Sequence, residues 1–398
     1  MPSDADLDPA ELLPHYDMFD ADHEQVKWKL FEYARANCPV FHTDADGKGQ
    51  YVVTRYQDVK RVLMDPKTFS SVGVAPRTSP VCLNPLDVDP PFQIELRKLL
   101  NPFFTRGHLL RFEAELRKTA ADLVDAFRGT GRCEFVRDFA TPFVARAMAT
   151  VVFNEGDRDK MEAIAEVVIA NAMEPNDESY LRLSELAQLY LGDRQQHPTD
   201  RNDLLTAITT GTVAGGRLLT EVERLGVITV LFLGGLDTTR GAMGFIAHAL
   251  AVEPDLETRL RNPAWIRHDM DELIRLGSSV GCLGRRATTD VELGGVQISA
   301  GDHVLLRFDS ANRDETQFDE AATPRFDIRR GGNVGFGLGV HRCLGAQFAR
   351  LQLEIVFDEL LARLTRVRLA CDPDEIRWTP GIANGPEVLP LTFESLTC

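Results

Sequence analysis

Residues 336–345, FGLGVHRCLG, decide how this chain is read. Cys343 stands just after a glycine-rich loop and just before a stretch of helical periodicity. Free amide N–H groups and the dipole at such a helix start favour an anion. A thiol placed there is expected to have a lowered pKa and to reach the thiolate readily. Gly337 and Gly339 permit a tight turn round the sulfur. Phe336 can shield the sulfur from water, and Gly345 lets the helix approach something flat and bulky. Taken singly, a cysteine is ordinarily inert packing, and a histidine such as His341 a satisfied surface group. The ten-residue combination is far more specific.

Working outward, residues 344–364 read as an amphipathic helix, with Leu344, Phe348, Leu351, Ile355 and Leu360 on its apolar side. Residues 225–252 form the most apolar long segment and read as a buried helix stopped by Pro254. Inside it, residues 231–239 read LFLGGLDTT. Each of two adjacent glycines costs a helix interior about 1 kcal/mol relative to alanine. They also open a groove. Gly234 and Thr238 are four apart and share one face. Either the helix breaks here, with Asp237 or Thr238 capping the next piece, or the polar pair serves a site.

Elsewhere, residues 50–54 suggest a strand, followed by a helix through 59–64. Residues 70–91 hold five prolines in 22 positions and read as an irregular loop. Leu109, Phe112, Leu116, Leu123 and Phe127 make a helical stripe, 143–153 is another apolar segment, and 192–203 reads as a polar linker. Residues 269–276 form a shorter helix. Residues 287–293 and 296–298 form a hairpin about Gly294-Gly295, with a strand at 304–308 and a loop-rich stretch at 311–340. The expected fold is mainly α with a minor β part, in a single domain over residues 1–398.

The 398 residues are 44% hydrophobic and 26% charged, which excludes a disordered or fibrous chain. Acidic residues outnumber basic ones 60 to 44, a net charge of −16. Nucleic acid and anionic membrane surfaces are therefore not expected as partners. No run of 18 apolar residues occurs, and the acidic N-terminus lacks the apolar core of a signal peptide. The seven cysteines at 38, 82, 133, 282, 343, 371 and 398 are odd in number and form no CxxC. A disulfide framework or zinc site is not expected, and a reducing, cytoplasmic setting is.

With these residues in view, the sequence resembles the cytochrome P450 family of heme-thiolate monooxygenases. The family's heme-binding pattern F-x-x-G-x-H/R-x-C-x-G is filled by Phe336, Gly339, His341, Cys343 and Gly345. The resemblance implies that Cys343 is the thiolate ligand of iron in heme b (iron protoporphyrin IX), donating electron density that favours O–O cleavage. Residues 234–238 look like the family's [A/G]-G-x-[D/E]-T motif, which implies that Thr238 and Asp237 activate oxygen and deliver protons. Glu272 and Arg275 match E-x-x-R, with Arg325 as the implied third, structural partner. Arg97, Arg285 and His341, with Gln93 as a neutral donor, are implied to meet the two heme propionates. Residues 89–97 read DPPFQIELR, so Phe92 and Ile94 depart from the family's usual acid and polar residue.

The likeness runs from Tyr16 to Leu391 and is greatest to the camphor-hydroxylase subfamily, through LGGLDT and HRCLG. It implies the triangular P450 fold, with electrons from a separate [2Fe-2S] ferredoxin and its reductase. Lys98, Arg106, Arg342 and Arg350 are implied to be cations available for docking it. Val81, Leu86, Val230, Leu233, Gly234 and Leu283 are implied to line the substrate pocket. Val81 stands where the camphor enzyme has a hydrogen-bonding tyrosine. The expected substrate is apolar and small to mid-sized (terpenoid, norisoprenoid or aromatic), with no strict polar anchor. A peroxide-driven peroxygenase and a non-enzymatic heme-thiolate sensor are the competing readings, and Asp237-Thr238 counts against the first.

Overall fold

The computed structural model describes residues 8–45, 47, 49–73, 81–153, 158–173, 176–328 and 330–396. Ten helices organise the description: α1 (Ala21–Asn37), α2 (Tyr56–Met64), α3 (Phe92–Leu100), α4 (Glu113–Phe127), α5 (Thr141–Met148), α6 (Arg158–Met173), α7 (Asp177–Gln196), α8 (Glu221–Val252), α9 (Pro263–Gly277) and α10 (Ala346–Arg363). Short turns of helix connect several of them.

The apolar segment expected at 225–252 is α8, which begins four residues earlier. Its start is fixed by a capping box. The Glu223 amide donates to Thr220 Oγ1 at 3.2 Å, and the Thr220 amide donates to Glu223 Oε2 at 2.8 Å. At 1.5 Å per residue its 32 residues span roughly 48 Å. Asp237 and Thr238 lie inside it, so the reading of a helix break is corrected: α8 is continuous through both glycines. The helices α5, α6, α7 and α10 all pack against α8. The largest buried cluster surrounds this layer, with Phe232, Leu236, Phe143 and Phe357 among its fully enclosed side chains.

Strands β1 (Val40–Thr43), β2 (Gln50–Val53), β3 (Phe69–Ser70), β4 (Arg132–Glu134), β5 (Cys282–Ala287), β6 (Val291–Leu293), β7 (Val296–Ile298), β8 (His303–Arg307), β9 (Leu364–Leu369) and β10 (Pro390–Ser395) make the minor part. The main sheet has the order β1-β2-β8-β5-β3, with β8 parallel to β2 and antiparallel to β5. Gly294 and Gly295, at φ +57° and +83°, turn the expected hairpin from β6 to β7. A second sheet, β9-β10-β4, joins the chain's end to its middle.

Several boundaries differ from expectation. The start of the 192–203 linker is the last turn of α7. The 269–276 helix begins at Pro263. The strand expected over 287–293 is divided between the end of β5 at Ala287 and β6 (Val291–Leu293), and Arg285 lies inside β5. Residues 74–80 of the proline-rich loop lie outside the described residues. Cys398 also lies outside them, and the other six cysteines are free thiols.

Candidate functional site

A cavity of about 310 Å³ opens beside α8. Its wall combines residues of the 83–86 loop, α3, α6, α7, α8, β5 and the cysteine loop. Cys343, Thr238, Asp237, Arg97, Arg285, His341, Phe336 and Gly345 all line it. Leu86, Val230, Leu233, Gly234 and Leu283 line it too. Val81 does not, which corrects its expected place. A tight turn, closed by the Leu86 amide on the Leu83 carbonyl at 2.7 Å, brings Leu83, Pro85 and Leu86 inward and leaves Val81 before the turn.

The loop before α10 is folded round its own backbone. The Cys343 amide donates to the Phe336 carbonyl at 2.8 Å, and the Gly337 amide donates to Val334 at 2.8 Å. Gly337 and Gly339 have φ of +64° and +68°, the left-handed region that disfavours other residues. A Cβ on Gly339 would also stand 2.4 Å from the Leu63 carbonyl of α2. The Cys343 side chain opens to the cavity rather than to bulk solvent. Deep enclosure pushes the thiol pKa up. The Gly345 amide and then Arg97, Arg342 and Arg350 pull it down less strongly. The expected lowered pKa is thus corrected: in the protein alone, desolvation outweighs the helix start. Arg350 stacks on Phe336 at 4.5 Å and pairs with Asp271 at 2.8 Å, covering the outer side of the loop.

Arg97 and Arg285, with His341 beside them in the cavity wall, form an uncompensated cationic corner. Arg285 is 4% exposed and donates to the Gly284 carbonyl at 2.6 Å, with no carboxylate partner among the described residues. Burial lowers its pKa to about 10, against the pull of Asp89. Burial also lowers that of Arg97. His341 is pushed down to about 4 by burial, then by Arg285 and Arg97, so it is neutral at pH 7 rather than a cation. Its Nε2 is buried without a partner. Gln93 lies outside the cavity wall. Its Nε2 donates to the Val340 carbonyl at 2.7 Å, which ties α3 to the cysteine loop and corrects its expected role as a donor into the site.

On α8, Thr238 Oγ1 donates to the Gly234 carbonyl one turn back at 2.7 Å. Its hydrogen is spent there, so the oxygen faces the cavity as an acceptor. A Cβ on Gly234 would meet nothing within 4 Å, whereas Gly226, Gly235, Gly241 and Gly244 each press against another segment. Gly234 is therefore the groove. Asp237 is 3% exposed and is held by Arg240, itself 3% exposed. Sequence reading missed Arg240, although Asp-x-x-Arg at i, i+3 was visible.

Behind the cysteine loop, Arg275 of α9 makes a two-pronged pair with Glu272 at 2.7 and 2.8 Å and donates to the Ala321 carbonyl. Arg325 is not the third cation. Only its backbone amide reaches Glu272, at 3.0 Å, while its guanidinium turns to the exposed acids Asp327 and Glu320. Arg330 takes the place, 3.3 Å from Glu272 Oε1.

The arrangement joins one thiol, a groove with a hydroxyl and a paired acid, and unneutralised guanidinia, in one mostly apolar cavity. Among the described residues no group of three or more His, Cys, Asp or Glu could hold a bare metal ion. Comparison with known proteins settles the class. The cytochrome P450 family profile matches residues 268–387. The steroid C26-monooxygenase of Mycolicibacterium smegmatis is 30% identical over 375 residues, 92% of each chain. The mycinamicin IV hydroxylase/epoxidase of Micromonospora griseorubida is 32% identical over 364 residues, 87% of this chain and 90% of that one. The structure of CYP109Q5 from Chondromyces apiculatus superposes with a TM-score of 0.84 at 28% identity, covering 96% of this chain and 99% of that one.

The chain belongs to the cytochrome P450 family and has its fold. It is a heme b enzyme of the monooxygenase class. No helix among the described residues is long and apolar enough to cross a membrane.

Proposed function

We infer that the protein inserts one atom of O2 into a small to mid-sized, largely apolar substrate held against α8: R–H + O2 + 2 electrons + 2 protons give R–OH + H2O. The observation that carries this reading is the convergence of Cys343, Gly234-Thr238 and the Arg97/Arg285/His341 corner on one cavity. The residues fit the cofactor. Heme carries two carboxylates, and the cavity offers two guanidinia with no carboxylate partner and a buried, unpartnered His341 Nε2. Cys343 would ligate its iron, and the bound group supplies electron transfer and O–O cleavage. The Arg350–Phe336 stack and the loop's backbone bonds hold the sulfur in place.

Thr238 presents an acceptor oxygen and can hold a proton in the groove. Asp237 is the nearest acid on the same helix, with Arg240 fixing its rotamer. The apolar wall of Leu83, Leu86, Val230, Leu233 and Leu283 excludes water and receives hydrocarbon. The substrate class of terpenoid, norisoprenoid or aromatic follows from that wall and from the LGGLDT and HRCLG likeness to camphor hydroxylases. The relatives above, a steroid C26-monooxygenase and a mycinamicin IV hydroxylase/epoxidase, are named for larger substrates.

Electrons come from a separate [2Fe-2S] ferredoxin and reductase in the cytoplasm. Of the four candidate docking cations, Lys98, Arg106 and Arg350 are paired with Glu95, Glu354 and Asp271, which leaves Arg342 for an acidic partner. Turnover of an apolar substrate panel with a ferredoxin, its reductase and isotopically labelled dioxygen tests the reading. Label is expected in the hydroxylated product. Turnover with hydrogen peroxide but never with the electron donors would replace it with the peroxygenase reading.

A further inference from the structure

The helices α6 and α7 bring two side chains to the cavity, Val168 and Tyr180. Val168 is apolar. Tyr180 is 3% exposed and lines the cavity, and its hydroxyl makes no hydrogen bond to another of the described residues. A buried phenol ordinarily finds a partner, because leaving the group unpaired forfeits its hydration. Much of the cavity lining is apolar: Leu83, Pro85, Leu86 and Val230 carry no side-chain polar atom. The other polar groups of the wall have work elsewhere or come from other segments. Thr238 is bonded to Gly234, Asp237 to Arg240, and the guanidinia suit the heme carboxylates. Ser279 follows α9 and Gln352 belongs to α10, the helix that Cys343 precedes. Burial, reinforced by Asp87, pushes the Tyr180 hydroxyl up to about 12, so it keeps its proton at every working pH.

Resting on the reading of this cavity as the substrate site, we propose that Tyr180 is its specificity-determining residue: the phenol donates a hydrogen bond to one carbonyl or ether oxygen on an otherwise apolar substrate. The anchor comes from α7, whereas Cys343 stands at the start of α10. One polar atom of the substrate is thereby fixed on one element, and the hydrocarbon skeleton is left to reach the groove at Gly234. The substrate is then an alicyclic ketone or ether rather than a plain hydrocarbon. This replaces the expectation of a pocket with no polar anchor. Val81, at the position where that anchor was sought, is apolar and outside the cavity, and the donor comes from a different helix.

The test is a four-way binding comparison on the heme-loaded protein, read by the Soret spin-state shift. Adamantane and 2-adamantanone are titrated into wild type and Tyr180→Phe. The difference in hydrophobic transfer between the two ligands cancels when the ketone-to-hydrocarbon affinity ratio is compared between proteins. The ratio is expected to fall by about tenfold in Tyr180→Phe, the value of one hydrogen bond, with adamantane affinity unchanged. An equal ratio in both proteins overturns the anchor and leaves the apolar cavity standing. No shift with either ligand in either protein overturns the cavity reading and the anchor together. A crystal structure of the wild-type ketone complex decides without a variant: a ketone oxygen within hydrogen-bond distance of the Tyr180 hydroxyl supports the proposal, and one turned away from it overturns it.

Discussion

Arg240 closes on Asp237 from less than one helical turn away, donating to a single carboxylate oxygen from Nε at 3.0 Å and from Nη2 at 2.6 Å. Both partners are buried inside α8, beside the groove at Gly234. The acid we propose as the proton carrier is therefore also half of a closed ion pair. Removing one partner of such a pair strands the other charge and costs about 3–5 kcal/mol. Arg240→Met is expected to lower Tm by several degrees and to reduce product formed per electron consumed. Arg240→Lys, which keeps the charge without the fork, should lie between. Unchanged coupling in Arg240→Met, measured as product per electron consumed, would separate Arg240 from proton delivery.

Thr238 is bound only to the Gly234 carbonyl, so its removal leaves no buried orphan of its own. Thr238→Ala is expected to retain heme and stability within about 0.5 kcal/mol. Electrons should be diverted to hydrogen peroxide. A peroxide assay beside a product assay checks this, and wild-type product yield in the variant would remove Thr238 from oxygen activation.

The glycines of α8 separate into two kinds. Gly234→Ala adds a methyl to open space, so it should stabilise the helix by up to about 1 kcal/mol and weaken binding of bulky ligands. Gly241→Ala puts a Cβ 2.3 Å from the Asn384 backbone carbonyl. Backbone cannot step aside as a flexible side chain can, and a loss of roughly 1–3 kcal/mol is expected. Thermal unfolding of the two variants should move in opposite directions.

The unpaired guanidinium of Arg285 gives a prediction of opposite sign for the protein with and without its cofactor. Its depressed pKa of about 10 means that the charge is a burden in the heme-free fold at neutral pH, roughly 3 kcal/mol. Arg285→Leu should therefore raise the stability of heme-free protein while heme retention falls. If heme-free Arg285→Leu were less stable than wild type, the corner would be structural rather than a carboxylate site.

Much of the centre was legible because its chemistry is local in sequence. The cysteine loop needs glycines at fixed offsets, and the Gly234–Thr238 face follows from helical spacing alone. The rest depends on what distant segments do. Arg325 and Arg330 are five residues apart in one irregular loop, and which of them turns inward is decided by the exposed acids Asp327 and Glu320. The Cys343 thiol pKa is set by enclosure that no local pattern reports. Tyr180 reaches the cavity because α7 packs on α8, and nothing in the α7 sequence marks that face. The sheet β9-β10-β4 pairs segments more than 200 residues apart and left no period-2 signal strong enough to read.

The central claim is that Cys343 ligates heme iron in this cavity. It is tested most directly by the visible spectrum of the purified, dithionite-reduced protein under carbon monoxide. The account predicts a Soret band at the long-wavelength position of thiolate-ligated heme, absent in Cys343→His. A wild-type band at the shorter wavelength of histidine-ligated heme would contradict it.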